Sequence, residues 1–403
     1  MRKTSKVKVE YHVPDILLII TAFLISAFGV VMVFSSSYYN ALNGKEHDAY
    51  AFLKDDFMWF VIAWVFFILF SLIDYHWIRK FAWPALGFGI VLLLLIFTPM
   101  GKTINNATRW LKLGSSFTIM PGEIIKASLI LWTAHFLDHD SFTFVRKDKK
   151  TGLEKRTTFK GPARSIAALV PIAFAGLAFI LIFKQPNLST AGIVFVTVLG
   201  MMFIGGLPLW WIPVAIAGLG GVFFVAVKKH AYMLDRIKAG FHPFDYYLDE
   251  GWQVGQSLMA LGSGGIWGKG LGKSIQKTLY LSESENDFIL SIVGEELGFV
   301  GIVLLLFAYI LLIWCCIRVA LRAKDRFGML FASGVGILFA LQVMLNVAVI
   351  SASFPTTGIF LPLVSYGGNG DLVFLSLLGI VTNISRQTNR RKDIPDFEIQ
   401  ENQ

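Results

Sequence analysis

Ile16-Leu-Leu-Ile-Ile-Thr-Ala-Phe-Leu-Ile-Ser-Ala-Phe-Gly-Val-Val-Met-Val-Phe34 carries no charge along 19 residues. As a helix at 1.5 Å per residue it covers about 28 Å, close to the hydrocarbon thickness of a bilayer. It has no clear small-x-small cleavage site, so it reads as a retained span and not as a cleaved signal peptide. Blocks of the same kind recur to the C-terminal end. The expected spans are 15–35, 57–74, 80–98, 121–137, 165–183, 188–206, 208–227, 288–315, 327–350 and 371–386. The fold class is therefore all-α: a polytopic membrane protein with ten transmembrane helices.

Composition agrees. Of 403 residues, 55% are hydrophobic and 16% charged, and the mean hydropathy is +0.63. A soluble domain carries about 25% charged residues, which sets aside an ordinary cytosolic enzyme. The net charge of +9 is no nucleic-acid signal, because most charges lie in short segments between spans. With the N-terminus inside, 22 of the 36 Lys and Arg fall in inner segments and 13 in outer ones, 7 of these in one long loop. Both termini are thus expected in the cytoplasm. Cys315 and Cys316 are adjacent in an apolar run, and no disulfide framework is available.

The organisation follows: a cytoplasmic segment 1–14, a transmembrane domain 15–386, and a cytoplasmic tail 387–403. Residues 228–287 form the large extracytoplasmic loop, with Arg236 and a glycine cluster from Gly262 to Gly272. Residues 99–120 are expected along the membrane surface. Residues 351–370, rich in Pro, Gly, Thr and Ser, are too polar for lipid and should be buried in protein or line a cavity.

Within Leu281-Ser-Glu-Ser-Glu-Asn-Asp-Phe288, Asp287 stands at the outer mouth of the eighth span. It is read either as a helix N-cap or as a general base whose pKa is raised by Glu283, Glu285 or burial. Glu295 and Glu296 are costly inside an apolar span, and at least one should face a cavity or a cation. Glu123 and Lys126, spaced i,i+3, are either a packing pair or a substrate contact. Arg109 and Lys112 beside Trp110 are either an interfacial belt or a site for a lipid pyrophosphate. Gly272-Lys273-Ser274 ends like a phosphate-binding loop, but Trp267 stands where that motif needs glycine. No metal-ligand motif is present. Transporter, channel and enzyme on a lipid-linked substrate all remain open at this point.

Longer motifs narrow the choice. Phe354-Pro-Thr-Thr-Gly-Ile-Phe-Leu-Pro-Leu-Val-Ser-Tyr-Gly-Gly368 and Asp287-Phe-Ile-Leu-Ser-Ile-Val-Gly-Glu-Glu-Leu-Gly298 resemble the SEDS family of bacterial shape, elongation, division and sporulation proteins. Arg109-Trp-Leu-Lys-Leu-Gly114, Pro121-Gly-Glu-Ile-Ile-Lys126, Gln185-Pro-Asn-Leu-Ser-Thr-Ala191 and Gly264-Gly-Ile-Trp-Gly-Lys-Gly-Leu-Gly272 support it, as does Asn346 after Gln342. The resemblance runs from about residue 14 to 390.

The resemblance implies a peptidoglycan glycosyltransferase that polymerises lipid II on the outer face, inverts the anomeric carbon and releases undecaprenyl pyrophosphate. It implies Asp287 as base for the acceptor hydroxyl. Substrate contacts are expected from Arg109, Trp110, Lys112, Glu123, Lys126, Lys273, Lys277, Glu295, Glu296, Ser365, Gly367 and Gly368. No cofactor is firmly expected; a divalent cation, Mg or Mn, is the one candidate. Expected partners are lipid II with the growing glycan strand, a cognate class B penicillin-binding protein and other division-complex membrane proteins, with no nucleic acid. Asn187, Ser282, Glu285 and Asn286 depart from the usual pattern, and Glu285 should raise the pKa of Asp287. Thr356-Thr357, Asn369 and Asn383-Ile-Ser-Arg386 look closer to division and sporulation members than to elongation ones. The division role is the expectation, with elongation or sporulation paralogue, lipid II flippase and non-catalytic scaffold as alternatives.

Overall fold

The computed structural model describes residues 13–43, 47–104, 107–113, 117–138, 143–147, 154–158, 162–208 and 232–388, with scattered positions at 211, 213–214, 217–218, 220–221 and 228. The helices are α1 Ile16–Asn43, α2 Ala51–Leu72, α3 Tyr75–Arg79, α4 Ala82–Leu95, α5 Pro121–Asp138, α6 Pro162–Phe183 and α7 Leu188–Ile204. There follow α8 Tyr232–Phe241, α9 Trp252–Gly264, α10 Ile289–Arg322, α11 Arg326–Ile350 and α12 Gly368–Arg386. Helices thus occupy nine of the ten expected spans; the seventh, 208–227, lies outside the described residues apart from scattered positions, as do most of 1–14 and 387–403.

The helices are built inside out by the standard of a water-soluble protein. On α2 the exposed side chains include Val61, Val65, Ile68 and Leu72, whereas Asp56 is among the few buried ones. Exposed Leu304, Phe307 and Ile310 make a similar apolar face on α10. Such faces suit lipid and would be unstable in water. Helices α1, α2, α10 and α11 are long and apolar enough to cross a bilayer.

Helix α5 is the least apolar expected span because protein, and not lipid, surrounds it. It packs against α4, α7 and α11, and its Glu123 and Lys126 are 1% and 3% exposed. Lys126 Nζ donates to Glu123 Oε1 at 2.7 Å and Oε2 at 2.9 Å, and to Gln342 Oε1 of α11 at 3.0 Å. Breaking such a pair from one side leaves a buried bare charge. Lys126→Met is expected to cost about 3–5 kcal/mol of stability, and Lys126→Met with Glu123→Leu much less. Thermal unfolding in detergent checks this; a single variant as stable as wild type would refute it.

Helix ends are set by local chemistry. Asn187 caps α7, its side chain accepting from Thr190 N at 3.3 Å, so the absence of a charge there does not cost the cap. Asn383 of α12 donates to Ser71 O at 2.8 Å and accepts from Tyr75 N at 3.0 Å, locking the turn between α2 and α3.

Two small sheets supplement the all-α expectation. β1 Gly101–Ile104, β2 Ala107–Leu113 and β3 Phe117–Ile119 form an antiparallel meander from the segment expected to lie along the membrane surface; β4 Thr143–Lys147 and β5 Glu154–Thr158 form a hairpin. In β2, alternation puts Arg109 with buried Leu111, which packs on Leu92 and Ile96 of the α4 end; Lys112 falls on the opposite, exposed side.

Candidate active site

A cavity of about 1030 Å³ opens where β2, the start of α5, the segment before α10 and the 351–370 segment converge. Of the residues expected at a site, Arg109, Trp110, Glu123, Asp287, Gly367 and Gly368 line it. The polar 351–370 segment does enter protein: Leu361, Leu363, Val364 and Ser365 are buried.

Hydrogen bonds fix that segment to the backbone around Asp287. Asn346 Nδ2 donates to the carbonyls of Asp287 and Ile359, both at 2.8 Å. Ser365 Oγ donates to Asn286 O at 2.7 Å, and Tyr366 N donates to Glu285 O at 2.8 Å. Gln342 carries the link onward, donating to Phe360 O at 3.3 Å while accepting from Lys126. Asp287 is thereby held by backbone contacts, and its carboxylate is left for the cavity.

The N-cap reading of Asp287 is overturned. Helix α10 starts at Ile289 with Phe288 in the cap position, and no side chain caps it. Asp287 instead faces Arg109 across Gly358. A Cβ built on Gly358 would stand 3.3 Å from Asp287 Oδ2 and 3.5 Å from Arg109 Nη1, so both charged groups border the same small space. Arg109 is steadied by donating to the carbonyl of Pro186. Gly358 also has φ +61°, a conformation that side chains disfavour by about 1–2 kcal/mol. Gly358→Ala is therefore expected to reduce turnover about tenfold or more by wedging the two groups, with modest loss of stability. Comparing kcat with thermal stability for this variant tests the point: an unchanged kcat would refute it.

Burial pushes the Asp287 carboxyl up from 3.8 to about 7, with Glu283 adding repulsion and Arg109 opposing. Its side chain keeps partial access to the cavity. Glu285 is not the cause that its sequence position suggests. Its carboxylate turns to Asn40 Nδ2 at 3.0 Å and Ser284 Oγ at 3.0 Å, and burial raises its own pKa.

The remaining expected contacts lie elsewhere. Lys112 is exposed and does not line the cavity, and Lys126 is enclosed behind Glu123. Ser365 is buried in loop bonding. Glu295 pairs with Lys269 at 2.7 Å and Glu296 with Lys277 at 2.7 Å, the latter also accepting from Ser35 of α1. These charges tie the glycine-rich loop to α10 and α1, and exposed Lys273 does not reach the cavity. They satisfy one another, which explains how two carboxylates are tolerated there.

Sequence reasoning missed Asp55, Trp59, Arg236, Gly358 and Tyr366, all at the cavity. Tyr366 Oη donates to Asp55 Oδ2 at 3.1 Å. Adjacent Asp55 and Asp56 at the start of an apolar helix were a usable signal. For a divalent cation the donor set does not fit: among the described residues no group of three or more His, Cys, Asp or Glu is arranged to hold a metal, and the neighbour of Asp287 is a guanidinium. What the arrangement offers is a base with a raised pKa beside a fixed cation.

Residues 15–390 match the cell cycle protein family of FtsW, RodA and SpoVE. The "Probable peptidoglycan glycosyltransferase FtsW" of Geobacter sp. (strain M18) is 34% identical over 374 residues, 92% of this chain and 96% of that protein. "Stage V sporulation protein E" of Bacillus subtilis (strain 168) is 34% identical over 375 residues, covering 93% and 97%. Among solved structures, a chain of a peptidoglycan synthase complex superposes with a TM-score of 0.72 at 24% identity, covering 94% of this chain and 99% of that one. The rod shape determining protein RodA of Thermus thermophilus gives 0.66 at 24%, covering 94% and 98%. Both share this fold.

Proposed function

The chain belongs to the FtsW, RodA and SpoVE family of cell cycle proteins, and on that premise we propose that it is a peptidoglycan glycosyltransferase polymerising lipid II at the outer face of the cytoplasmic membrane. The observation that carries the reading is the placement of Asp287 and Arg109 on either side of Gly358 in the cavity. The Asp287 carboxylate takes the proton from the 4-hydroxyl of the acceptor GlcNAc. The freed oxygen forms a bond to C1 of the donor MurNAc from the opposite face, inverting it. The C1–oxygen bond to pyrophosphate breaks, and its electron pair leaves with undecaprenyl pyrophosphate. Arg109 stabilises the charge growing on that leaving group. No nucleotide is consumed, because the donor's own pyrophosphate linkage supplies the driving force.

Family membership supports a cognate class B penicillin-binding protein as the crosslinking partner and cytoplasmic placement of both termini. The division and sporulation relatives are equally similar at 34% identity, and Thr356-Thr357 and Asn369 favour both over elongation members without choosing between them, so the septal role within the division complex is our reading of the two. Localisation of a tagged chain to division sites, or along the side wall instead, tests that part.

The chemistry is tested by converting fluorescent lipid II with the full chain and its class B partner, transpeptidation being blocked. Wild type should give long strands and Asp287→Asn none while still binding the partner. Equal product from both would remove the base assignment. No product from either, in an intact complex, would favour a scaffold or a flippase.

A further inference from the structure

The cavity holds a second guanidinium that the mechanism above leaves unused. Arg109 and Arg236 are the basic side chains among its described lining residues, against the carboxylates Asp55, Glu123, Glu283 and Asp287. Arg236 comes from α8, in the 228–287 loop, whereas Arg109 comes from the β2 strand. Helix α8 is seated at the cavity by its own packing: Gly240 abuts Pro355 of the 351–370 segment so closely that a Cβ there would stand 2.6 Å from the Pro355 Cα. Helix α9 is secured beside it, Gln253 Nε2 donating to Ser282 Oγ at 2.7 Å.

The reaction brings two lipid-linked pyrophosphates to one site. The donor's lies at the carbon under attack. The acceptor's lies one disaccharide away from the hydroxyl that attacks. Each adds negative charge to a cavity already lined by four carboxylates, of which Glu123 has its own cation in Lys126. One guanidinium next to Asp287 serves one of the two anions.

We infer that Arg236 binds the pyrophosphate of the acceptor substrate, leaving Arg109 to the departing one. This rests on the glycosyl-transfer reading of the same cavity. Arg236 is suited to the exchange because its present partner holds it loosely. Its Nε lies 3.6 Å from Glu250 Oε2, and the two side chains are 43% and 46% exposed. An exposed pair at that separation contributes little, while a guanidinium on phosphate can bind through two parallel hydrogen bonds.

The test measures initial polymerisation rates over a range of lipid II concentrations, with the full chain in complex with its class B partner. Arg236→Gln should raise KM for lipid II about tenfold or more, as loss of a charged contact does, with kcat little changed. Arg236→Lys should recover part of the loss. Inorganic pyrophosphate should inhibit wild type more strongly than Arg236→Gln. Glu250→Gln breaks the same loop pair from its other end and should leave KM unchanged or lower it. A wild-type KM in Arg236→Gln would overturn the inference. So would a rise in KM in Glu250→Gln equal to that in Arg236→Gln, since the arginine would then act only by holding the loop. Asp287→Asn run in parallel separates the two levels. If it is silent, failure of Arg236→Gln to alter KM removes this inference alone; if it still polymerises, the underlying reading falls and takes the inference with it.

Discussion

Asp287→Asn is expected to lower lipid II polymerisation by about 10²–10⁴-fold, the usual contribution of a positioned general base. Asparagine keeps the size of the side chain and cannot accept the proton. The backbone bonds that hold this position come from Asn346 and Ser365, so the variant should fold and bind its partner. The raised pKa adds a second signature. A base must be unprotonated, so wild-type kcat/KM should fall about tenfold per pH unit below about 7 and level off above it. Stability should move the other way. The carboxyl binds its proton more tightly in the folded chain than at the ordinary value of 3.8. That contribution is fully present below 3.8 and lost as pH rises through about 7. At pH 8 Asp287→Asn should therefore unfold at a higher temperature than wild type, and the gap should close toward pH 4. A variant that is inactive and also less stable at pH 8 would show that Asp287 is a structural group and not a base.

Much of the membrane architecture was legible because a span is a local property of 17 to 25 residues, and nine expected positions carry helices. In α5 the spacing of Glu123 and Lys126 left a packing pair and a substrate contact both open, and the structure forms the pair. The site was legible where charge and position coincide, as at Asp287 and Arg109. It was illegible where a contact joins distant parts of the chain. Tyr366 meets Asp55 across 311 positions, and nothing local to either predicts it. Arg236 lay in a loop whose return to the cavity depends on packing between α8 and Pro355. The reverse error has the same origin. Lys277, Glu295 and Glu296 looked available for substrate because their mutual pairing runs through a glycine-rich loop whose path sequence does not give. The meander escaped because strands as short as β3, at 3 residues, have meaning only in register with their neighbours.

Gly298→Ala is expected to cost more stability than any of the other glycine substitutions considered, because one residue serves a four-way exchange of backbone hydrogen bonds. An unbroken α10 would direct Phe299 N and Val300 N to the carbonyls of Glu295 and Glu296. At Gly298 the backbone turns to φ 69°, ψ −166°, a region in effect reserved for glycine. Phe299 N donates instead to Gly265 O at 2.9 Å and Val300 N to Ile266 O at 3.1 Å. The two released carbonyls accept from Lys269 N and Gly270 N, each at 2.9 Å. Every group is satisfied, and the loop after α9 is sewn to the helix that follows Asp287. An added Cβ would overlap Gly268 N and stand 2.5 Å from Ile266 O. The conformational cost is about 1–3 kcal/mol, and opening the exchange adds about 1 kcal/mol for each of four bonds. The sum is a large part of the 5–15 kcal/mol that keeps a typical protein folded. Gly272→Ala isolates the two contributions: it also has positive φ, at +79°, but a Cβ there meets nothing within 4 Å. It should lose about 1 kcal/mol and keep its activity. Thermal unfolding in detergent, with limited proteolysis of the 265–280 loop, distinguishes the pair. If Gly298→Ala unfolded no earlier than Gly272→Ala, the exchange would be incidental to the fold; if it frees the loop and silences polymerisation together, the exchange is what keeps the segment bearing Asp287 in register with Arg109.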